Sequence, residues 1–170
     1  MIYWFPKDVS VLRELPQRKH NRLKEYDYSQ KGAYFVTICT KDRAELFGTV
    51  AVGATVPGRL VVELNDIGII VDTTILHNNK NEVIIDHYVI MPNHIHLIIV
   101  ISPETGDRGR SPLQTIIRNM KAYITKRIGF SPWQKSFHDH IIRNDDDYQK
   151  IAEYIKNNPD TWAEDCFYPK

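Results

Sequence analysis

Within HYVIMPNHIHLIIV, residues 87–100, two imidazoles, His94 and His96, stand one residue apart in a run that is otherwise apolar. Residues i and i+2 of a β-strand share a face. Both imidazoles then project together, with Ile95, Leu97 and Ile99 turned to the other side, and two ring nitrogens lie close enough to hold one cation. The same pair can equally be two partly buried strand histidines, so further ligands must decide. The segment EYIKNNP supplies candidates: Tyr154 and Asn158 are at i and i+4, neighbours on one helical face, while Tyr148, Ile151 and Ile155 make the apolar stripe. An amide oxygen is a competent ligand for a hard cation, and a phenol one turn away is a nucleophile. Taken singly, Tyr154 reads as an aromatic at the edge of the core and Asn158 as a helix C-cap before Pro159. Taken with His94 and His96 they form one coherent site. His138 and His140, again i and i+2, are a rival pair, but no neighbouring helix offers them an obvious nucleophile.

These residues need elements to hold them. Residues 33–40, AYFVTICT, are rich in β-branched and aromatic types and read as a strand. Residues 46–65 read as two short extended pieces around a Gly/Pro loop, a ribbon insertion. Asn65 or Asp66 caps a helix running to about residue 77, whose apolar residues recur at helical spacing. EVIIDHYVIM and HIHLIIVI follow as two antiparallel strands, and the intervening Met91-Pro92-Asn93 marks a tight turn, since proline cannot sit inside a central ladder. A Gly/Pro/Ser-rich loop spans residues 102–112, a helix runs from about 113 to 128, residues 136–143 form a last strand, and NDDDYQKIAEYIKNN makes a last helix that Pro159 ends. The order describes an α+β sandwich of ferredoxin-like topology, an antiparallel sheet with helices on one face and a C-terminal helix that carries the tyrosine.

Length and composition bound the rest. A chain of 170 residues, 42% hydrophobic, fits one ordinary domain with its own core. Cys39 and Cys166 lie far apart without CxxC spacing, which argues against a disulfide framework or a thiolate zinc site and fits a reducing, cytoplasmic setting. No apolar run is long enough to span a membrane, and the N-terminus lacks the order of a secretion signal. The net charge is only +1, but its distribution is uneven. Residues 108–143 carry eight Lys/Arg against one acid, a local +7, and residues 144–165 carry seven acids against two bases, a local −5. A basic band of this kind binds phosphate despite a near-neutral total, although a merely solvated helix face would look the same.

MPNHIHLIIV, then a Lys/Arg-bearing helix, then YIKNNP, together with the upstream RLKEYDYSQKGAYFVTICT, resemble the REP-associated tyrosine transposases, a branch of the single-tyrosine HUH nucleases and transposases with an IS200-like domain. The resemblance covers roughly residues 18–165, with residues 1–17 left as an N-terminal arm. It implies that His94, His96 and Asn158 bind a divalent metal, and that Tyr154 attacks single-stranded DNA and becomes joined to its 5′ phosphate. It also implies hairpin-bearing repeat DNA as the substrate and transposition or related processing as the role, by a monomer or a homodimer. The chemistry agrees with this. A phenol is mostly protonated at neutral pH, so its attack on a phosphodiester needs a cation that neutralises and orients the phosphate. An amide oxygen and substrate oxygens beside two imidazoles suit Mg²⁺ or Mn²⁺. The DNA is expected along Arg108, Arg110, Arg118, Lys121, Tyr123, Lys126 and Arg127, with bases stacked on aromatics. Trp133 and Phe137 in the same segment read as core. Two other functions fit the same residues: a catalytically silent DNA-binding module, and a metal-dependent phosphoesterase that uses the histidines without Tyr154.

Overall fold

The computed structural model describes residues 32–53, 58–78, 83–102 and 112–169. The expected arm, Arg108 and Arg110, and nearly all of the Gly/Pro/Ser-rich loop lie outside these. Among the described residues the chain forms strands β1 (Gly32–Cys39), β2 (Gly48–Val52) and β3 (Leu60–Leu64), helix α1 (Asp66–His77), strands β4 (Val83–Met91) and β5 (His94–Ile101), helix α2 (Pro112–Ile128), strand β6 (His138–Ile142) and helix α3 (Asp145–Asn157). β2 and β3 pair with each other as the expected ribbon. The other four strands make one sheet in the order β4-β5-β1-β6, with every pairing antiparallel. Omitting the ribbon, this is the β-α-β-β-α-β order of the ferredoxin-like sandwich.

Alternation on the two central strands divides the molecule into layers. Tyr34, Val36 and Ile38 of β1 and Ile95, Leu97 and Ile99 of β5 are fully buried on one face, packed with Val71 and Ile75 of α1 and Leu113, Ile117, Met120 and Ile124 of α2. The 4-3-4 spacing of those α2 residues is the stripe that a core-facing helix requires. Each such side chain withdrawn from water contributes on the order of 1.5–3 kcal/mol. The two crossover helices therefore share a face, as the sequence predicts. α3 lies on the opposite one, where Ala152 and Ile155 pack on Ile98 and Ile142, flanked by Phe35, Val89 and Val100. α1 starts where expected, with the Asn65 side chain accepting from the Gly68 N–H at 3.0 Å. Gly68 is required there because a Cβ would fall 2.1 Å from the Phe47 carbonyl oxygen.

One boundary differs from the sequence reading. β6 starts at His138 rather than at residue 136, since the Gln134 and Ser136 carbonyls accept from Lys121 Nζ at 2.8 and 3.2 Å instead of entering a ladder. α3 itself ends at Asn157, just before Pro159 as expected, and the chain then runs on. It tightens into a 3₁₀ segment, Asn158–Glu164, because proline's fixed φ and missing N–H are tolerated in a first turn. Among the described residues no helix is long and apolar enough to cross a membrane.

Candidate active site

The Pro92-Asn93 turn delivers the chain into β5, and its backbone is tied down from several directions. The Asn93 carbonyl accepts from the Thr40 N–H at 2.9 Å, and the Pro92 carbonyl accepts from the Leu46 and Phe47 N–H groups at 2.8 and 3.0 Å. His94 and His96 follow at once on the α3 face. They stand in register with Met91 and Val89 of β4 and with Cys39 and Thr37 of β1, so both lie at the centre of the sheet. Their ring centroids are 4.5 Å apart, close enough for two nitrogens to converge.

The neighbours of each ring set its hydrogens. Asn93 Nδ2 donates to the Phe167 carbonyl at 2.8 Å and to the Arg43 carbonyl at 3.3 Å, which turns Asn93 Oδ1 toward His94 Nδ1 at 2.9 Å. Oδ1 is an acceptor only, so Nδ1 carries the hydrogen and Nε2 presents a lone pair. Thr37 Oγ1 lies 2.9 Å from His96 Nδ1 and accepts its proton in the tautomer that frees His96 Nε2 in the same way. Burial holds both imidazoles neutral. It pushes His94 down to about 4, while burial and then the neighbouring His94 push His96 down to about 3.

The end of α3 closes over the pair. Asn158 keeps right-handed helical backbone angles and stays on the Tyr154 face of the helix. Asn158 is the C-cap residue of α3, and its side-chain Nδ2 donates to Asp165 Oδ2 at 2.9 Å. The Tyr154 hydroxyl lies 3.3 Å from His96 Nε2 and donates to Asp165 Oδ2 at 3.3 Å. Burial, then the Asp165 charge, push that phenol up to about 12. Burial works to raise Asp165 as well, but the Phe167 N–H, the Asn158 amide and the two imidazoles together hold its carboxyl below the usual range. His94, His96 and Asp165 place a ligand atom each within 4.8 Å of one another. Aromatic rings seal the sides: Phe167 and Trp162 lie 4.6 and 5.8 Å from His94, and Phe35 lies 5.1 Å from His96.

Two atoms here have no protein partner. His94 Nε2 and Asn158 Oδ1 are buried lone-pair groups without a hydrogen bond, and an unsatisfied buried acceptor costs about 1–3 kcal/mol. A cation would satisfy both, and neutral imidazoles with one amide oxygen and a nearby carboxylate are a donor set that divalent ions accept. The residues present fit the group that the sequence calls for.

The expected site residues therefore divide. His94, His96, Asn158 and Tyr154 come together. Asp165, Asn93 and Thr37 join them although the sequence reading did not single them out. The last acid of an acidic stretch, a turn asparagine and a strand threonine are each ordinary alone, and only the fold brings them to the histidines. Among the described residues the rival pair joins no group of three converging ligand atoms: His138 and His140 are exposed on the edge strand, and His140 Nε2 pairs with Asp147 Oδ2 at 3.0 Å. The basic residues of α2 do not line the histidine site. α2 covers the other face of the sheet, with Arg118, Tyr123, Lys126 and Arg127 exposed there. Lys121 is half-buried, its ammonium held below the ordinary lysine range by burial and turned inward to the Gln134 and Ser136 carbonyls. Trp133 is buried, as expected, and donates Nε1–H to the Lys121 carbonyl at 3.1 Å. Closer to the site is Arg43, which donates to the Cys166 carbonyl at 2.8 Å with its guanidinium 5.6 Å from the Phe167 ring centroid.

No family model matches the chain. It is 34% identical to an uncharacterized protein of Haemophilus influenzae over 174 residues, covering 89% of this chain and 93% of that protein. It is 36% identical to the REP-associated tyrosine transposase of Escherichia coli over 76 residues, 44% of this chain and 43% of that one. In three dimensions it resembles a REP-associated tyrosine transposase solved with a bound REP hairpin, at a TM-score of 0.58 and 23% identity, over 82% of this chain and 74% of the other, a likeness of fold.

Proposed function

We propose that the chain is a member of the REP-associated tyrosine transposase family and a metal-dependent enzyme that cleaves and rejoins single-stranded DNA through Tyr154. The observation that carries the reading is the meeting of two partnerless buried acceptors, His94 Nε2 and Asn158 Oδ1, with His96 and a tyrosine hydroxyl. His94, His96 and Asn158 would hold a divalent ion, Mg²⁺ or Mn²⁺, which would supply charge to neutralise a phosphate and ease loss of the phenolic proton.

The chain's own part is orientation. α3 is anchored by Ile155 and Ala152 on the sheet, so the Tyr154 hydroxyl is held over the histidines while the residue stays 41% exposed and open to an incoming strand. In the step proposed, the Tyr154 oxygen forms a bond to phosphorus as the bond from phosphorus to the 3′ oxygen breaks. One proton passes from the phenol to the departing 3′ oxygen, and the 5′ phosphate stays on Tyr154. One phosphodiester is exchanged for another, so the reverse step needs no nucleotide. The hairpin bound by the structural relative suggests hairpin-bearing repeat DNA as the substrate. Phosphates met by Arg118, Lys126 and Arg127 would then belong to a part of the DNA away from the scissile bond, since α2 is on the far face of the sheet. A cytoplasmic setting, where DNA and two free cysteines coexist, fits this role.

The test is a denaturing gel of a hairpin oligonucleotide labelled on the 3′ side of the cut. The parent with Mn²⁺ gives a labelled adduct of protein size, and EDTA abolishes it. Binding without any adduct would sink the catalytic reading in favour of the silent module.

A further inference from the structure

A carboxamide has two ends of opposite character, and Asn158 serves as a cation ligand only if its oxygen faces the histidines. The amide is fully buried. Nδ2 donates to Asp165 Oδ2 at 2.9 Å, which leaves Oδ1 as the partnerless end. Turned over, the amide would set its oxygen against the Asp165 carboxylate. Two acceptors in contact in a buried place is the costlier arrangement. Asp165 is itself fixed, its Oδ1 accepting from the Phe167 N–H at 2.7 Å, and the same Oδ2 receives the Tyr154 hydroxyl.

We propose that Asp165 is a positioning residue: it locks the Asn158 amide with its oxygen toward His94 and His96 and holds the Tyr154 hydroxyl beside them. It acts through Asn158 and Tyr154, as a carboxylate behind a ligand does in other metal centres. This rests on the reading of the site as a metal centre, but the orientation of the amide does not.

Two measurements separate the claims. In the metal-free protein the Asn158 side-chain amide protons, identified by their loss in Asn158→Ala, are protected from solvent exchange in the parent and in Asp165→Asn, whose oxygen can still accept. They lose that protection in Asp165→Ala; equal protection in Asp165→Ala overturns the proposal. In a Mn²⁺ titration, Asp165→Ala weakens binding on the order of tenfold and Asp165→Asn restores most of it. In an Asn158→Ala background Asp165→Ala adds nothing, because the residue through which it acts is gone. A further loss in that background would overturn the proposal, assigning Asp165 either direct contact with the ion or an effect through Phe167. A parent that binds no Mn²⁺ defeats the metal reading alone, and the exchange measurement then decides the positioning role by itself.

Discussion

At the scale of single residues, the site follows from which atoms carry hydrogens. Asn93, held by two carbonyls, makes His94 Nδ1 the donor and so frees Nε2. His94→Ala and His96→Ala should each lower Mn²⁺ affinity and adduct yield strongly, since either leaves one imidazole; titration calorimetry on folded variants measures this, and parent-like affinity would return the pair to ordinary strand histidines. The cysteines offer a check on burial at the same scale. Cys39, paired with His94 on the neighbouring strand, has its thiol pushed up to about 11, first by burial, whereas Cys166 is exposed. A thiol reagent should titrate one group per native chain and two in denaturant; two rapid groups in the native protein would mean that β1 is open to solvent. The four residues with chemistry at recognisable spacing, His94, His96, Tyr154 and Asn158, were legible in the sequence. Asp165 and Asn93 were not, because their roles come from a 3₁₀ segment and a turn that no local pattern ties to the histidines.

At the scale of elements, periodicity was a good guide wherever one side chain pattern repeated. β1, β5 and α2 alternate or recur as their faces demand. What the pattern could not give was the side of the sheet on which α3 lies, since its stripe of Tyr148, Ile151 and Ile155 would suit either face. The basic band shows the same gap. Counted along the chain it is a uniform patch, but on the folded helix Lys121 is an internal cross-link and Arg118 and Arg127 are exposed. Lys121→Ala should therefore cost about 1–3 kcal/mol in urea unfolding and leave the salt dependence of DNA binding unchanged. Replacing Arg118 and Arg127 with Gln should flatten that dependence by roughly 0.7–0.9 in log–log slope for each phosphate that is no longer neutralised. The opposite pattern, a stable Lys121 variant with weakened binding, would place the DNA on the inner edge of α2.

At the scale of the whole molecule, β5, one of the two central strands, carries the histidines, and the last described helix and the 3₁₀ segment after it carry the tyrosine and the amide, with the acid, Asp165, just beyond. The site therefore exists only when the sandwich is closed, and a phenol raised to about 12 stays protonated until a phosphate and a counter-charge are present. The ferredoxin-like order could be read in advance because its strands and helices are short and well punctuated, and a sheet with β1 and β5 at its centre puts His94 and His96 where α3 must cross. The central claim is that the oxygen of Tyr154 is the one that takes the DNA. Proteolysis of the covalent adduct followed by mass spectrometry of the nucleotide-bearing peptide tests it most directly. The nucleotide is expected on Tyr154, with no adduct from Tyr154→Phe; a nucleotide on Tyr148 or Tyr123, or an undiminished adduct from the phenylalanine variant, would mean that another group attacks the DNA.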